Sequence, residues 1–155
     1  MALNEERWGT DLRLLGNLEQ QNDRERGSDL YTTRRPITGL IDLETLAGLE
    51  NLQQALLLRF LTPMGEMEIL GHATYGSRLY ELLGELNIER THNRAKMFVL
   101  QALAEEPRVK QVLSVKVTQN QADRTRMDID IWLTPVDSDT ATNLVFPFFL
   151  EPGSR

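Results

Sequence analysis

Apolar positions change their spacing along this chain, and the change marks where one kind of element gives way to another. Ala95, Phe98, Val99, Ala102 and Leu103 recur at three- and four-residue intervals, which places them on one face of a helix. Pro107 ends that helix, because proline lacks the amide hydrogen of an interior helical residue and pushes Glu106 out of the right-handed helical region. Beyond it, Val109, Val112, Leu113, Val115 and Val117 suit a pleated, half-buried surface. Strands are predicted over 109–119, 126–136 and 143–150, joined as consecutive hairpins by the polar loops 120–125 and 137–142. In the second of them Met127, Ile129, Ile131 and Leu133 face one way, and Asp128, Asp130 and Trp132 the other.

Upstream, Leu52, Ala55, Leu56, Arg59 and Phe60 share one face of a helix that starts near Leu49 and is stopped by Pro63, with Gly65 as a turn residue. Ile37, Gly39, Ile41 and Leu43 alternate with Thr38, Leu40, Asp42 and Glu44, which predicts a strand entered through Arg34-Arg35-Pro36. Ser77 is placed to cap a short helix holding Leu79, Tyr80, Leu82 and Leu83, with Gly84 as its stop, and Asn87 to cap the helix that runs to Pro107. Residues 5–13 read as a short strand or extended arm. The polar run 19–26 reads as a connector, since no apolar stripe anchors it as a helix. The expected architecture is α+β: an N-terminal extended segment, about three helices, then a three-strand antiparallel meander in a small mixed sheet. Residues 1–48 form the arm and strand region and 49–155 the main domain, compact overall as one domain.

Length and composition narrow the function classes. A chain of 155 residues, 41% hydrophobic and 26% charged, is long enough to fold on its own core. The longest apolar runs, 55–58 and 145–150, fall far short of a bilayer span, so no membrane insertion is expected. The opening Met-Ala-Leu-Asn-Glu-Glu carries no charged leader with an apolar core, so synthesis in the cytoplasm is expected. Net charge is −6 with few clustered lysines, which argues against nucleic acid as partner. Cysteine is absent, excluding thiol catalysis and cysteine metal sites.

The search for catalytic chemistry is mostly empty. Glu66, Glu68, Glu81 and Glu85 could supply the carboxylate pair of a glycosidase, but nothing in their spacing makes them converge, and exposed carboxylates are the commoner case. His72 and His92 lack two-ligand spacing, and Gly76-Ser77-Arg78 lacks the second glycine of a nucleophile elbow. No metal, cofactor or catalytic residue is therefore assigned. The best-defined polar feature is Glu106-Pro107-Arg108, where a rigid residue holds two opposite charges at a fixed place. Arg108 there either pairs with Glu106 or caps helix carbonyls, or it anchors a partner through its planar fork.

Taken in order, Asn51-Leu52-Gln53-Gln54-Ala55, Arg59, Leu61-Thr62-Pro63-Met64-Gly65-Glu66, Gly71-His72, Tyr75-Gly76-Ser77-Arg78-Leu79 and Glu106-Pro107-Arg108-Val109 resemble the baseplate wedge, or sheath-initiator, family of contractile tails (GPW-type). That family is found in contractile phages, type VI secretion systems and related injection particles. The resemblance covers residues 49–155 and not the polar first third; the type VI signature around the first helix is missing, which points to a phage-like or injection-particle source.

The resemblance implies a non-enzymatic structural protein with no cofactor, placed in a tail baseplate. It implies that Glu106, Pro107 and Arg108 join larger wedge proteins, with spike or hub proteins as further candidates. It also implies that the terminal sheet offers an edge for strand addition by the contractile sheath protein, at Leu144, Val145, Phe146, Phe148 and Phe149. Pro147 is compatible with such an edge, although a core strand closing the domain is the equal alternative. Asn51, Gln54, Arg59, Thr62, Pro63, Gly65, Glu66, Tyr75, Gly76 and Ser77 become structural motif residues. About six copies per baseplate are implied, set by the symmetry of the assembly. The alternative is a small lysozyme-like cell-wall glycan hydrolase, a label the family has sometimes carried.

Overall fold

The structure is a computed structural model that describes residues 8–14 and 30–151. The polar run 19–26 and the first residues of the expected arm lie outside the described residues. The chain divides into two compact units, residues 1–55 and residues 56–155. The elements are β1 (Thr10–Leu12), β2 (Thr32–Arg34), β3 (Ile41–Leu43), β4 (Thr45–Ala47), α1 (Gly48–Leu61), α2 (Glu89–Ala104), β5 (Val109–Gln119), β6 (Arg126–Pro135) and β7 (Thr142–Phe149), with single 3-10 turns at Glu68–Leu70 and Leu79–Leu82.

This differs from the expected architecture of about three helices and one meander in a mixed sheet. Two α-helices and three separate antiparallel sheets are present among the described residues: β1 with β4, β2 with β3, and β5-β6-β7. The expected third helix is only the 3-10 turn Leu79–Leu82, with Arg78 at its boundary. Ser77 serves two partners: its Oγ accepts from the Leu79 N–H at 3.3 Å, as a cap does, and its hydroxyl donates to the Phe60 carbonyl at 2.6 Å. Gly84 then donates its N–H to the Leu150 carbonyl, so the chain leaves the turn before a second turn of helix can form. Within β2-β3 and β5-β6-β7 the strands are consecutive and joined by short turns, which allow only antiparallel pairing; β1 and β4, far apart in sequence, also pair antiparallel.

The strand expected from Ile37 to Glu44 is also corrected. Residues 36–38 form a turn, closed by the Gly39 N–H on the Arg35 carbonyl and the Arg35 N–H on the Leu40 carbonyl, both 2.9 Å. β2 and β3 are the arms of that hairpin, Arg34 opposite Ile41. Gly39 carries φ +68°, a left-handed conformation that few side chains accept, and this turn residue overrides the alternation around it. Asn87, expected as a cap, donates instead to the carbonyls of Arg124 and Arg126, while Ile88 occupies the cap position without a side-chain bond.

In the first unit, two side chains of α1 replace missing backbone partners. Asn51 donates to the Trp8 carbonyl at 3.0 Å. Gln54 donates to the Leu12 carbonyl at 2.8 Å and accepts from the Leu14 N–H at 2.9 Å, so it bonds the end of β1 as a neighbouring strand would. Both are buried, where a polar group left without such bonds costs about 1–3 kcal/mol.

In the second unit, α2 lies against β5. Its buried face is Thr91, Ala95, Phe98, Val99, Ala102 and Leu103. Met127, Ile129, Ile131 and Leu133 of β6 are all buried. Phe146 of β7 sits 5.3 Å from Phe60 and 6.3 Å from Phe148, centroid to centroid, in tilted arrangements that aromatic quadrupoles favour.

Candidate functional site

Proline dictates the corner between α2 and β5. Leaving α2 through Glu105, the chain turns at Pro107 and enters β5 at Val109, whose N–H is received by the Glu106 carbonyl at 3.1 Å. This geometry turns Glu106 inward and leaves Pro107 exposed. The buried Glu106 carboxylate holds two guanidinium groups. Oε2 accepts from Arg59 Nη2 at 3.0 Å and Nε at 3.3 Å, while Oε1 accepts from Arg108 Nε at 2.7 Å. Burial pushes the Glu106 carboxyl up, but the Arg108 hydrogen bond and the charges of Arg108 and Arg59 outweigh it and hold it below the ordinary carboxylate range.

Arg59 comes from the far end of α1, and a third segment fixes it there. Its guanidinium lies over the Tyr75 ring, 4.6 Å from the centroid. Tyr75 is delivered by the pairing of 62–64 with 75–77: Ser77 N–H to Thr62 carbonyl and Met64 N–H to Ser77 carbonyl, both 2.9 Å. Gly76 makes that pairing possible. Its φ is +108°, and a Cβ there would stand 2.5 Å from the Thr62 carbonyl oxygen. Thr62 further bonds the Leu58 carbonyl through its hydroxyl at 2.6 Å.

The residues singled out in the sequence therefore fall into separate places. Arg59, Tyr75 and the corner 106–108 converge. Thr62, Pro63, Gly76 and Ser77 build the support behind Tyr75. Asn51 and Gln54 act in the first unit, and Gly65, with φ +91°, and the exposed Glu66 lie in the loop after α1. On β7, Leu144, Phe146 and Phe148 are buried, Val145 is exposed and Phe149 is half-buried. β7 pairs with β6 on one side and has no other strand partner among the described residues.

The candidate catalytic carboxylates do not converge. Glu81 is clasped by Arg78 at 2.7 and 3.0 Å, and that hydrogen bond holds its carboxyl below the usual range. Glu85 is paired with Arg94, while Glu66 and Glu68 are exposed. Among the described residues no group of three or more His, Asp or Glu could hold a metal ion, and no helix is long and apolar enough to cross a membrane. Sequence reasoning missed the pairing of Arg59 with Glu106. Arg59 was placed on the face of Leu52, Leu56 and Phe60 and among the motif residues of the resemblance, and its charge on that otherwise apolar face was the available signal.

The clamp, a buried acid that holds two arginines, thus sits at the corner from which the three-stranded sheet β5-β6-β7 starts. No family model matches the chain, and no curated protein matches it. Among solved structures it is similar to a protein from Geobacter sulfurreducens described as a "putative tail lysozyme", with 26% identity over 65% of this chain and 89% of that one, at a TM-score of 0.57. Over the matched stretch the chain is similar in fold to that protein.

Proposed function

We propose that this protein is a structural subunit of the baseplate of a contractile injection machine, a phage tail or a related particle. In this reading it joins larger wedge proteins through the corner 106–108 and starts sheath assembly by strand addition at β7. The observation that carries the reading is the Glu106 clamp. The buried Glu106 carboxylate, shared with Arg59, holds Arg108 in one pose at an exposed proline turn, and a preoriented planar fork loses little entropy on meeting a partner. The likeness to a tail protein and the ordered motif set support it. β7 supports the sheath part: strand addition draws affinity from backbone hydrogen bonds, and β7 has its outer backbone edge unpaired among the described residues.

The test is capture of the proteins encoded beside this one by the purified chain, with wild type and Arg108→Ala compared. Capture of a large wedge or sheath protein, weakened by the substitution, is the expected result. Equal capture by Arg108→Ala of normal fold removes the corner from the reading.

A second reading, cell-wall glycan hydrolysis, is favoured by the name given to the Geobacter sulfurreducens protein. A glycosidase acid needs a raised pKa, whereas Glu81 is shifted the other way by Arg78. Peptidoglycan cleavage by the purified chain, lost in Glu66→Gln or Glu81→Gln, is the result that would promote this reading over the first.

A further inference from the structure

Arg59 has one donor that nothing in the fold uses. Nε and Nη2 both go to Glu106 Oε2, and Nη1 makes no hydrogen bond among the described residues. The residue is only 8% exposed and the Tyr75 ring covers one face of its guanidinium. Yet Nη1 is not walled in, for the only enclosed side-chain nitrogen or oxygen without a hydrogen-bond partner among the described residues is Arg13 Nε. Arg59 lines a surface cleft of about 350 Å³ together with His72, Thr74, Tyr75 and Glu105. An arginine edge this desolvated forms hydrogen bonds to an ionised acceptor that are roughly twice as strong as neutral ones.

We propose that this cleft is a socket for an aspartate or glutamate side chain of a partner protein, received by Arg59 Nη1, with the Thr74 hydroxyl and the His72 ring at the mouth as further donors. The proposal rests on the assembly reading above and adds to it a second contact and its chemistry. One group opposes it: the Glu105 carboxylate on the cleft wall repels an incoming acid, and this gives the proposal its sharpest check.

The experiment uses the full chain and a full-length neighbour protein that wild type captures. Thr74→Trp and Ala73→Trp plug the cleft from exposed positions without touching the clamp, and unchanged melting shows that they fold. Both should weaken binding at least about tenfold, the scale of one charged hydrogen bond. Glu105→Gln should tighten binding. Changing one Asp or Glu of the partner to Asn or Gln should reproduce the loss and add nothing further in the Thr74→Trp background. Wild-type affinity in both plugged variants, or weaker binding by Glu105→Gln, overturns the socket. The assembly reading fails separately, when wild type captures no neighbour; capture that depends on Arg108 but ignores the plugs leaves it standing without the socket.

Discussion

Arg59 and Glu106 are 47 residues apart in sequence, and Nη2 of one stands 3.0 Å from Oε2 of the other with both side chains nearly excluded from solvent. One comes from the last turn of a helix and the other from the corner after a different helix. Their pairing ties the start of the second unit to the corner that carries Arg108.

Removing one member of a buried pair leaves the other charge without compensation. Arg59→Ala should cost about 3 kcal/mol, the lower end of the usual range for broken buried pairs, because Arg108 still bonds Glu106. Urea denaturation of wild type and variant measures it. A loss under about 0.5 kcal/mol would show that the pair is solvated.

Acid should act through Glu106. Its folded carboxyl lies below the ordinary value, so its contribution is present above the unfolded pKa of about 4.3 and is lost as pH falls through the folded pKa. Stability measured from pH 7 downward should therefore fall below about pH 4, and the same titration of Glu106→Gln should be flatter there. Parallel curves for the two proteins would assign the acid sensitivity to other carboxylates.

Two glycines with left-handed backbones should differ in what alanine does to them. At Gly76 the new Cβ meets the Thr62 carbonyl oxygen at 2.5 Å, whereas at Gly84 nothing lies within 4 Å. Gly84→Ala should cost about 1 kcal/mol from backbone strain alone, and Gly76→Ala clearly more, with loss of the 62–77 pairing. Thermal melts of the two variants rank them, and equal losses would contradict the close approach.

Phe146 is fully buried between Phe60 and Phe148, while Val145 beside it is exposed. Phe146→Ala should lose about 3–5 kcal/mol and Val145→Ala less than about 0.5 kcal/mol. Val145→Pro, by contrast, removes a backbone donor from β7 and should reduce sheath-protein capture if the outer edge accepts a strand.

In the second unit, the strongest local signals were accurate. The period-two pattern of Met127, Ile129, Ile131 and Leu133 marked the buried face of β6, and Pro107 marked the turn out of α2, because side-chain alternation and a missing amide hydrogen act over a few residues. The failures have two causes. Ser77 accepts from the Leu79 N–H as a cap does, but its hydroxyl also bonds Phe60, 17 positions earlier, and only a 3-10 turn follows. Residues 37–44 alternate like a strand, yet the left-handed Gly39 folds their first half into a turn that leaves Ile37 97% exposed. The same limit applied to the candidate site. Residues 106–108 could be named from sequence as a rigid, charged corner, but which charge faces inward was decided by Arg59, brought there by α1 and held under Tyr75. Periodicity, proline and glycine act between neighbours and so can be read along the chain; which distant partner satisfies a buried acid depends on packing, and only the tertiary structure decides it.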